Sequence, residues 1–336
     1  MSLDDLSVLL LWTAIAIYTL GFLAFTIDLA RRSELAIQAQ DAKARTLVAA
    51  GGQTIDDVRA EQAAAKVALE AKPSQRRRYL FARLGTVLTA LAFLFHLGAD
   101  VTRGLEAGRV PWSNNYEFAL TGTLLVVAVF LGVLVKYDLR FLGAFVNGLI
   151  VVLLGGAALA YYVEVVPLAD PLKSIWLVIH VFVASLASAF FAIAFALSVV
   201  QLLQARRERI AIAAADVATA PRTKMRFLRT LPSAEVLESL AYRFAIIGFV
   251  LWTFTLIAGA IWANDAWGRY WGFDTKEVWT FVIWVIYAGY IHARATRGWR
   301  GTRSAWLSII GFVAVLFNFT IVNQFFQGLH SYSGLN

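Results

Sequence analysis

The sequence predicts an all-α, polytopic integral membrane protein of about eight transmembrane helices with an external tryptophan-rich loop. Three observations carry that prediction. Of 336 residues, 60% are hydrophobic and only 15% are charged, against about 25% charged in an average soluble domain. The apolar residues come in long blocks rather than at a period of 3.6 or 2. Blocks of this kind reach the roughly 20 residues a membrane helix needs, and polar, basic stretches separate them. High hydrophobicity with low charge excludes a disordered chain. The lack of cysteine excludes disulfide frameworks, thiolate metal sites and cysteine nucleophiles.

The eight blocks lie at 6–29, 84–100, 116–135, 141–163, 172–204, 244–263, 278–292 and 306–326. The first begins Met-Ser-Leu-Asp-Asp, with no basic leader and no small-residue cleavage site, so it reads as a retained helix rather than a signal peptide. The fifth is long enough to extend beyond the bilayer, and the seventh is short and aromatic. The chain then divides into a first helix at 1–30, a cytoplasmic connector at 31–83 and a membrane domain at 84–336. That domain holds a second connector at 205–243 and the external loop at 262–279. Residues 56–72 of the first connector, rich in Ala, Glu, Lys and Gln, read as helical or partly disordered.

Orientation follows from Lys and Arg. The loops after the first, third, fifth and seventh blocks carry 25 of the 30 basic residues. The other side carries Arg103, Arg109, Lys173, Arg269 and Lys276. The positive-inside rule puts the first set in the cytoplasm and both termini outside a plasma membrane. The net charge of +8 is then topological rather than a nucleic-acid footprint. A basic patch for anionic lipid is a weaker second use.

The loop after the sixth block is the most unusual stretch. Trp262, Trp267, Trp271, Trp279 and Trp284 fall within 23 residues. An interfacial belt explains one or two of them. Gly268 and Gly272 permit tight turns and close approach of a ligand, and flat rings suit a large planar apolar molecule. Arg269 or Lys276 offers a partner for a ligand carboxylate. His180, near the outer end of the fifth block, and His330, after the eighth, share the face of this loop. Two imidazoles beside an aromatic shelf suggest axial ligation of haem iron, although a lone membrane histidine is more often a packing residue. His292 lies at the inner end of the seventh block and His96 inside the second. Each reads equally as a polar packing residue or as part of an inner site. No phosphate-cradling glycine loop, zinc helix or nucleophile elbow is present.

The run Trp267-Gly268-x-x-Trp271-Gly272-x-Asp274-x-Lys276-Glu277-x-Trp279 resembles the WWD signature of the haem-handling proteins CcsA (also called ResC, or CcsB in some naming), CcmC and CcmF. The likeness extends through Tyr290-Ile-His292-Ala-Arg294 and Phe317-Asn318-Phe319 to Gly328-Leu329-His330-Ser331-Tyr332. Upstream, Pro111-Trp-Ser113-Asn114-Asn-Tyr116-Glu117 is similar to the family's external Pro-x-x-Asn-x-Tyr-Glu segment. Eight spans and the closing His-Ser-Tyr favour the CcsA/ResC branch, a part of the system II cytochrome c synthase.

The resemblance implies that His180 and His330 ligate haem b at the outer face. It implies that His292 ligates haem within the membrane, opposite a ligand from a ResB-like companion. Trp267, Trp271, Asp274 and Trp279 are the implied haem contacts. The implied activity is conveying haem b outward and presenting it to the CxxCH motif of apocytochrome c, with a thiol-reducing protein acting indirectly. No side chain of this chain is implied as catalytic, and His96 receives no role. Phe273 replaces a frequent second Trp and Thr275 a frequent Pro, which alters haem contacts rather than the fold. Three other readings stay open: a haem exporter or chaperone without ligase activity, a bis-histidine membrane electron carrier, and a haem-free transporter with an aromatic belt.

Overall fold

The computed structural model describes residues 2–50, 80–165, 173–215, 226–326 and 328–329. Among these, all regular structure is helical. Eight long helices follow in order: α1 (Leu3–Ala50), α2 (Leu80–Ala107), α3 (Asn115–Lys136), α4 (Gly143–Ala160), α5 (Ile175–Ala215), α6 (Ala234–Trp267), α7 (Thr275–Arg297) and α8 (Thr302–Phe317). Each expected span overlaps one of these helices, although those at 141–163, 172–204 and 306–326 run past the helix ends. A π-helical turn, Asn318–Val322, continues α8.

Seven of the eight are long and apolar enough to cross a membrane. Helix α7 falls short because Lys276, Glu277, His292, Arg294 and Arg297 dilute its apolar residues. It nevertheless packs beside α6 and α8. Ile283, Tyr287 and Tyr290, spaced along one face, are buried completely or nearly so. The chain is a multi-pass membrane protein of about eight helices, as expected.

The helix ends differ from expectation at three places. Helix α1 runs on to Ala50, well past residue 29. Helix α5 reaches Ala215, giving 41 residues, or about 60 Å at 1.5 Å per residue. Helix α6 starts at Ala234, where Ser233 accepts a hydrogen bond from the Val236 amide. Much of the two connectors is therefore a continuation of membrane helices, because Ala, Glu, Lys and Gln extend a helix once it is nucleated. The run at 56–72 lies outside the described residues.

Close packing comes mainly from small residues, the usual way membrane helices approach one another. Gly85 of α2 and Gly143 of α4 face the Phe25 ring of α1, where neither leaves room for a Cβ. Gly248 of α6 meets Phe191 of α5 in the same way. Phe191 in turn stacks on Tyr287 of α7, with ring centroids 3.7 Å apart.

Polar contacts tie the two ends of the bundle. At the end carrying the tryptophans, Arg103 of α2 has no exposed side-chain surface. It donates to Asp4 Oδ1 of α1 (2.6 Å), Glu117 Oε1 of α3 (3.1 Å) and the Val163 carbonyl beyond α4 (2.7 Å). Glu117, equally buried, also accepts from Arg109 Nη1 at 2.7 Å and from the Ser113 amide at 2.9 Å. At the opposite end Glu238 accepts from the Gly301 amide at 2.8 Å and pairs with Arg294 at 3.4 Å. Gln204 bonds the Pro232 carbonyl at 3.0 Å. In the turn from α3 to α4, Arg140 bonds Asp138 through two nitrogens at 2.6 Å and holds that carboxyl below its ordinary range.

Removing one member of a buried ion network strands the others without a counter-charge. Arg103→Met should lower the unfolding free energy by about 3 kcal/mol, read as the midpoint of an SDS titration in mixed micelles. A midpoint equal to that of wild type would mean Asp4 and Glu117 do not depend on Arg103.

Candidate functional site

The helices leave a cavity of about 460 Å³ in the half of the bundle that carries the tryptophans. That size is ordinary for a small-molecule site. It arises because three helices present small side chains to one another. On α5, His180, Ala184, Ser188 and Ala192 recur every fourth residue and line one wall. Gly122 of α3 and Gly156 of α4 line others. Trp252, Thr255 and Trp262 of α6, Lys276 and Thr280 of α7, and Phe319 and Asn323 after α8 complete the lining.

His180 is placed by three features of α6. Its Nδ1 lies 3.0 Å from the Thr255 carbonyl. A carbonyl can only accept, so Nδ1 carries a proton, and in the neutral ring the lone pair is then on Nε2. The ring stacks on Trp262, with centroids 5.8 Å apart and planes 22° apart. Gly259 makes space for it: a Cβ there would lie 2.7 Å from His180 Cε1.

The tryptophans divide into two groups. Trp262 is buried, and Trp267 meets it edge-on at 4.9 Å. Trp279 and Trp284 lie on α7 and pack between helices, Trp279 on Phe317 at 4.5 Å, while Trp284 Nε1 donates to Thr253 Oγ1 at 2.9 Å. Only Trp271 of the five is exposed, together with Phe273, which is 80% exposed.

The loop between α6 and α7 has firm ends. Gly268 closes α6 in the left-handed region at φ 68°. Asp274 and Glu277 form a capping box that opens α7. Glu277 Oε2 also accepts from the Gly272 amide at 2.8 Å. Gly272 has no Cβ to block the Arg269 guanidinium, which pairs with Glu277 at 3.6 Å. Phe273 itself stands at φ 58°, which a bulky residue seldom adopts. Asp274 Oδ1 accepts from the Leu329 amide at 3.2 Å, drawing the segment before His330 onto the loop. Gly328 sits against the same oxygen, where a Cβ would collide.

His96 and His292 do not line this cavity. His96 is completely buried, with Nε2 3.0 Å from the Leu120 carbonyl and Nδ1 3.3 Å from the Tyr18 hydroxyl. Both its nitrogens serve packing, which resolves its two readings in favour of structure. His292 is exposed near the far end of α7. His330, Ser331 and Tyr332 lie outside the described residues.

The family described as Cytochrome C assembly protein matches residues 112–330, which run from the start of the cavity lining to His330. The chain belongs to this family. Relatives place it with the CcsA proteins. "Cytochrome c biogenesis protein CcsA" of Guillardia theta is 36% identical over 261 residues, spanning 75% of this chain and 85% of that protein. The protein of the same name from Gloeobacter violaceus is 32% identical over 302 residues, spanning 78% and 89%. That of Synechococcus elongatus is 33% identical over 282 residues, spanning 74% and 87%. A role in cytochrome c biogenesis follows.

Within this cytochrome c assembly protein, the cavity gathers residues that the sequence did not single out. Thr255 and Gly259 position His180, and Trp252 lines the wall beside them. The four-residue stripe below His180 was visible as a signal for a helix face without bulk. Asn115 and Asn323 meet at 3.4 Å although they are 208 positions apart, and no local pattern announces that contact.

Gly259→Leu would drive a side chain into the His180 ring while leaving α6 a good helix former. We expect reporter cytochrome c carrying covalent haem to fall about a hundredfold, in line with the effect of ångström-scale misplacement at a reacting site. Unchanged yield with a folded variant would show that the placement of His180 is irrelevant.

Proposed function

We propose that this chain is the membrane subunit of a system II cytochrome c synthase. In this reading it conveys haem b to the outer face of the plasma membrane and presents it for attachment to the CxxCH motif of apocytochrome c. The observation that carries it is His180. A neutral imidazole with its lone pair on Nε2 is the form that ligates a metal, and the hydrogen bond from Nδ1 fixes that tautomer. It sits against Trp262 at the wall of an apolar cavity. Haem needs such a place: an iron ligand, flat rings and an apolar body-sized space.

His330 is the proposed second outer ligand. The tie between Leu329 and Asp274 supports it, since the next residue is His330. Trp267, Trp271 and Trp279, with Asp274, are proposed to shape the haem surroundings. In this reading Trp271 and Phe273 offer open faces, and Trp279 acts from within the packing. His292 is proposed as the inner haem ligand. Its exposure supports a site completed by a ResB-like companion that brings the opposite ligand. The distribution of Lys and Arg supports both termini outside.

The chemistry belongs chiefly to the substrates. Each thiol adds its sulfur and hydrogen across one vinyl group of haem, with no net redox change. The thiols must arrive reduced, which is the task of a thiol-reducing protein acting upstream. This chain holds the iron, orients the ring and keeps one edge accessible, so its contribution is positioning.

The test compares wild type with the His180→Ala/His330→Ala double variant, each purified with the ResB-like companion. Reduced absorption spectra should show low-spin haem in wild type and several-fold less, or an altered spectrum, in the variant. Identical spectra would move the haem site away from this cavity. A second measurement concerns the reaction itself. With this chain and its companion as the only synthesis components, apocytochrome c should acquire covalent haem. Haem-loaded protein that yields no covalent product would refute the synthase and leave an exporter.

A further inference from the structure

Among the described residues, Lys276 is the only charged side chain lining the cavity. Glu277 beside it turns away to the Gly272 and Asp274 amides. Asp274, two residues earlier, is an acid close enough to act on Lys276, but among the described residues no carboxylate lines the cavity itself. A cation at an apolar wall is costly unless a counter-charge arrives. The lysine is held in place rather than left to swing. Its Nζ donates to Asn323 Oδ1, and Asn323 reaches across to Asn115 Oδ1 at 3.4 Å. One acceptor leaves two of the three ammonium protons for something else.

The neighbouring wall supplies more donors. Asn114 is only 5% exposed. Its Oδ1 caps α3 by accepting from the Glu117 amide at 2.9 Å, which commits the oxygen and turns the amide nitrogen outward from the cap. That nitrogen has no hydrogen-bond partner, nor does Trp112 Nε1 two residues earlier, and both residues line the cavity. A buried N–H without an acceptor calls for an explanation. Lys276 lies in the first turn of α7 and Asn115 opens α3, and Asn323 joins the two, so two positive helix starts lie near this wall. A third such atom, Asn318 Oδ1, is an acceptor open to a water or to an acid proton.

We propose that Lys276, Asn114 and Trp112 form a carboxylate-binding corner of the cavity that takes a propionate of haem and thereby fixes which edge of the ring faces outward. The proposal rests on the haem reading above and adds an orientation to it. Haem carries its two carboxylates on one edge and its vinyl groups away from that edge. A propionate anchored in the corner turns the vinyl groups away from the cavity wall and toward an incoming thiol. Lys276 here is a specificity-determining residue, not a catalytic one.

The test uses haem and its dimethyl ester as probes, titrated by absorbance into the chain with its companion. Wild type should bind haem at least about tenfold tighter than the ester, the worth of a charge-assisted hydrogen bond. Lys276→Met should bring the two within about twofold by weakening haem and leaving the ester unchanged. Lys276→Arg should keep most of the preference. Trp112→Phe removes one N–H with little change of shape and should reduce it by a few-fold.

Equal affinity of wild type for haem and ester would overturn the corner. So would loss of both probes in Lys276→Met, which would make the lysine structural. Oleate puts a carboxylate on a linear chain and separates the sources. Displacement of haem by equimolar oleate would assign the corner to fatty acids and overturn the haem assignment. Failure of wild type to bind either probe would instead refute the haem reading itself, and the two failures are distinct.

Discussion

A guanidinium with no route to solvent governs the architecture. Arg103 must find anionic and carbonyl oxygens inside the protein, and it finds them on α1, α3 and the chain leaving α4. Those three contacts fix the upper ends of four helices. Glu117 then passes the constraint on through Arg109 and Ser113, so the segment between α2 and α3 cannot drift. Asn114 sits at the end of that segment and Asn115 opens α3. The cavity wall and the ion network are thus one construction: the charges determine where the asparagines stand.

The cavity is the counterpart of that rigidity. Large residues such as Phe25, Phe191 and Tyr287 pack against glycine or against one another where helices touch. Where α3, α4 and α5 turn alanine, serine and glycine toward a common space, no described side chain fills it. The small side chains around this space make few dispersion contacts with one another, and the helices that carry them are pinned elsewhere. Its occupant is expected to recover those contacts. This suits a cytochrome c assembly protein, whose cargo would have to enter and leave.

The helices were legible in the sequence because bilayer-spanning blocks are long and their basic flanks asymmetric. Their ends were less so, since residues 30–50 and 205–215 are good helix formers that simply continue α1 and α5. The tryptophan-rich run from Trp262 to Trp279 was recognisable, but not that His180 would stack on Trp262 within α6. What escaped was everything depending on distant partners. His96 read equally as packing or ligand, and only the structure sets the Leu120 carbonyl and the Tyr18 hydroxyl beside its two nitrogens. The division of the tryptophans, with Trp271 displayed and Trp279 packed, depends on where α7 begins, and the capping box of Asp274 and Glu277 sets that point. Lys276 was a candidate for pairing with a carboxylate, but only the fold reveals that no described acid lines the cavity beside it.

The loop itself is bracketed by backbone features rather than by side-chain packing alone. Gly268 turns left-handed at one end, Phe273 does so near the other, and Asp274 locks the start of α7. A non-glycine residue in that region carries about 1 kcal/mol or more of strain, met when the chain folds and not when a guest arrives. Flexible receptors lose entropy at the moment of capture, which weakens binding. Here that loss has already occurred. For the haem-presenting role proposed above, binding at this loop would then cost little ordering entropy at each turnover.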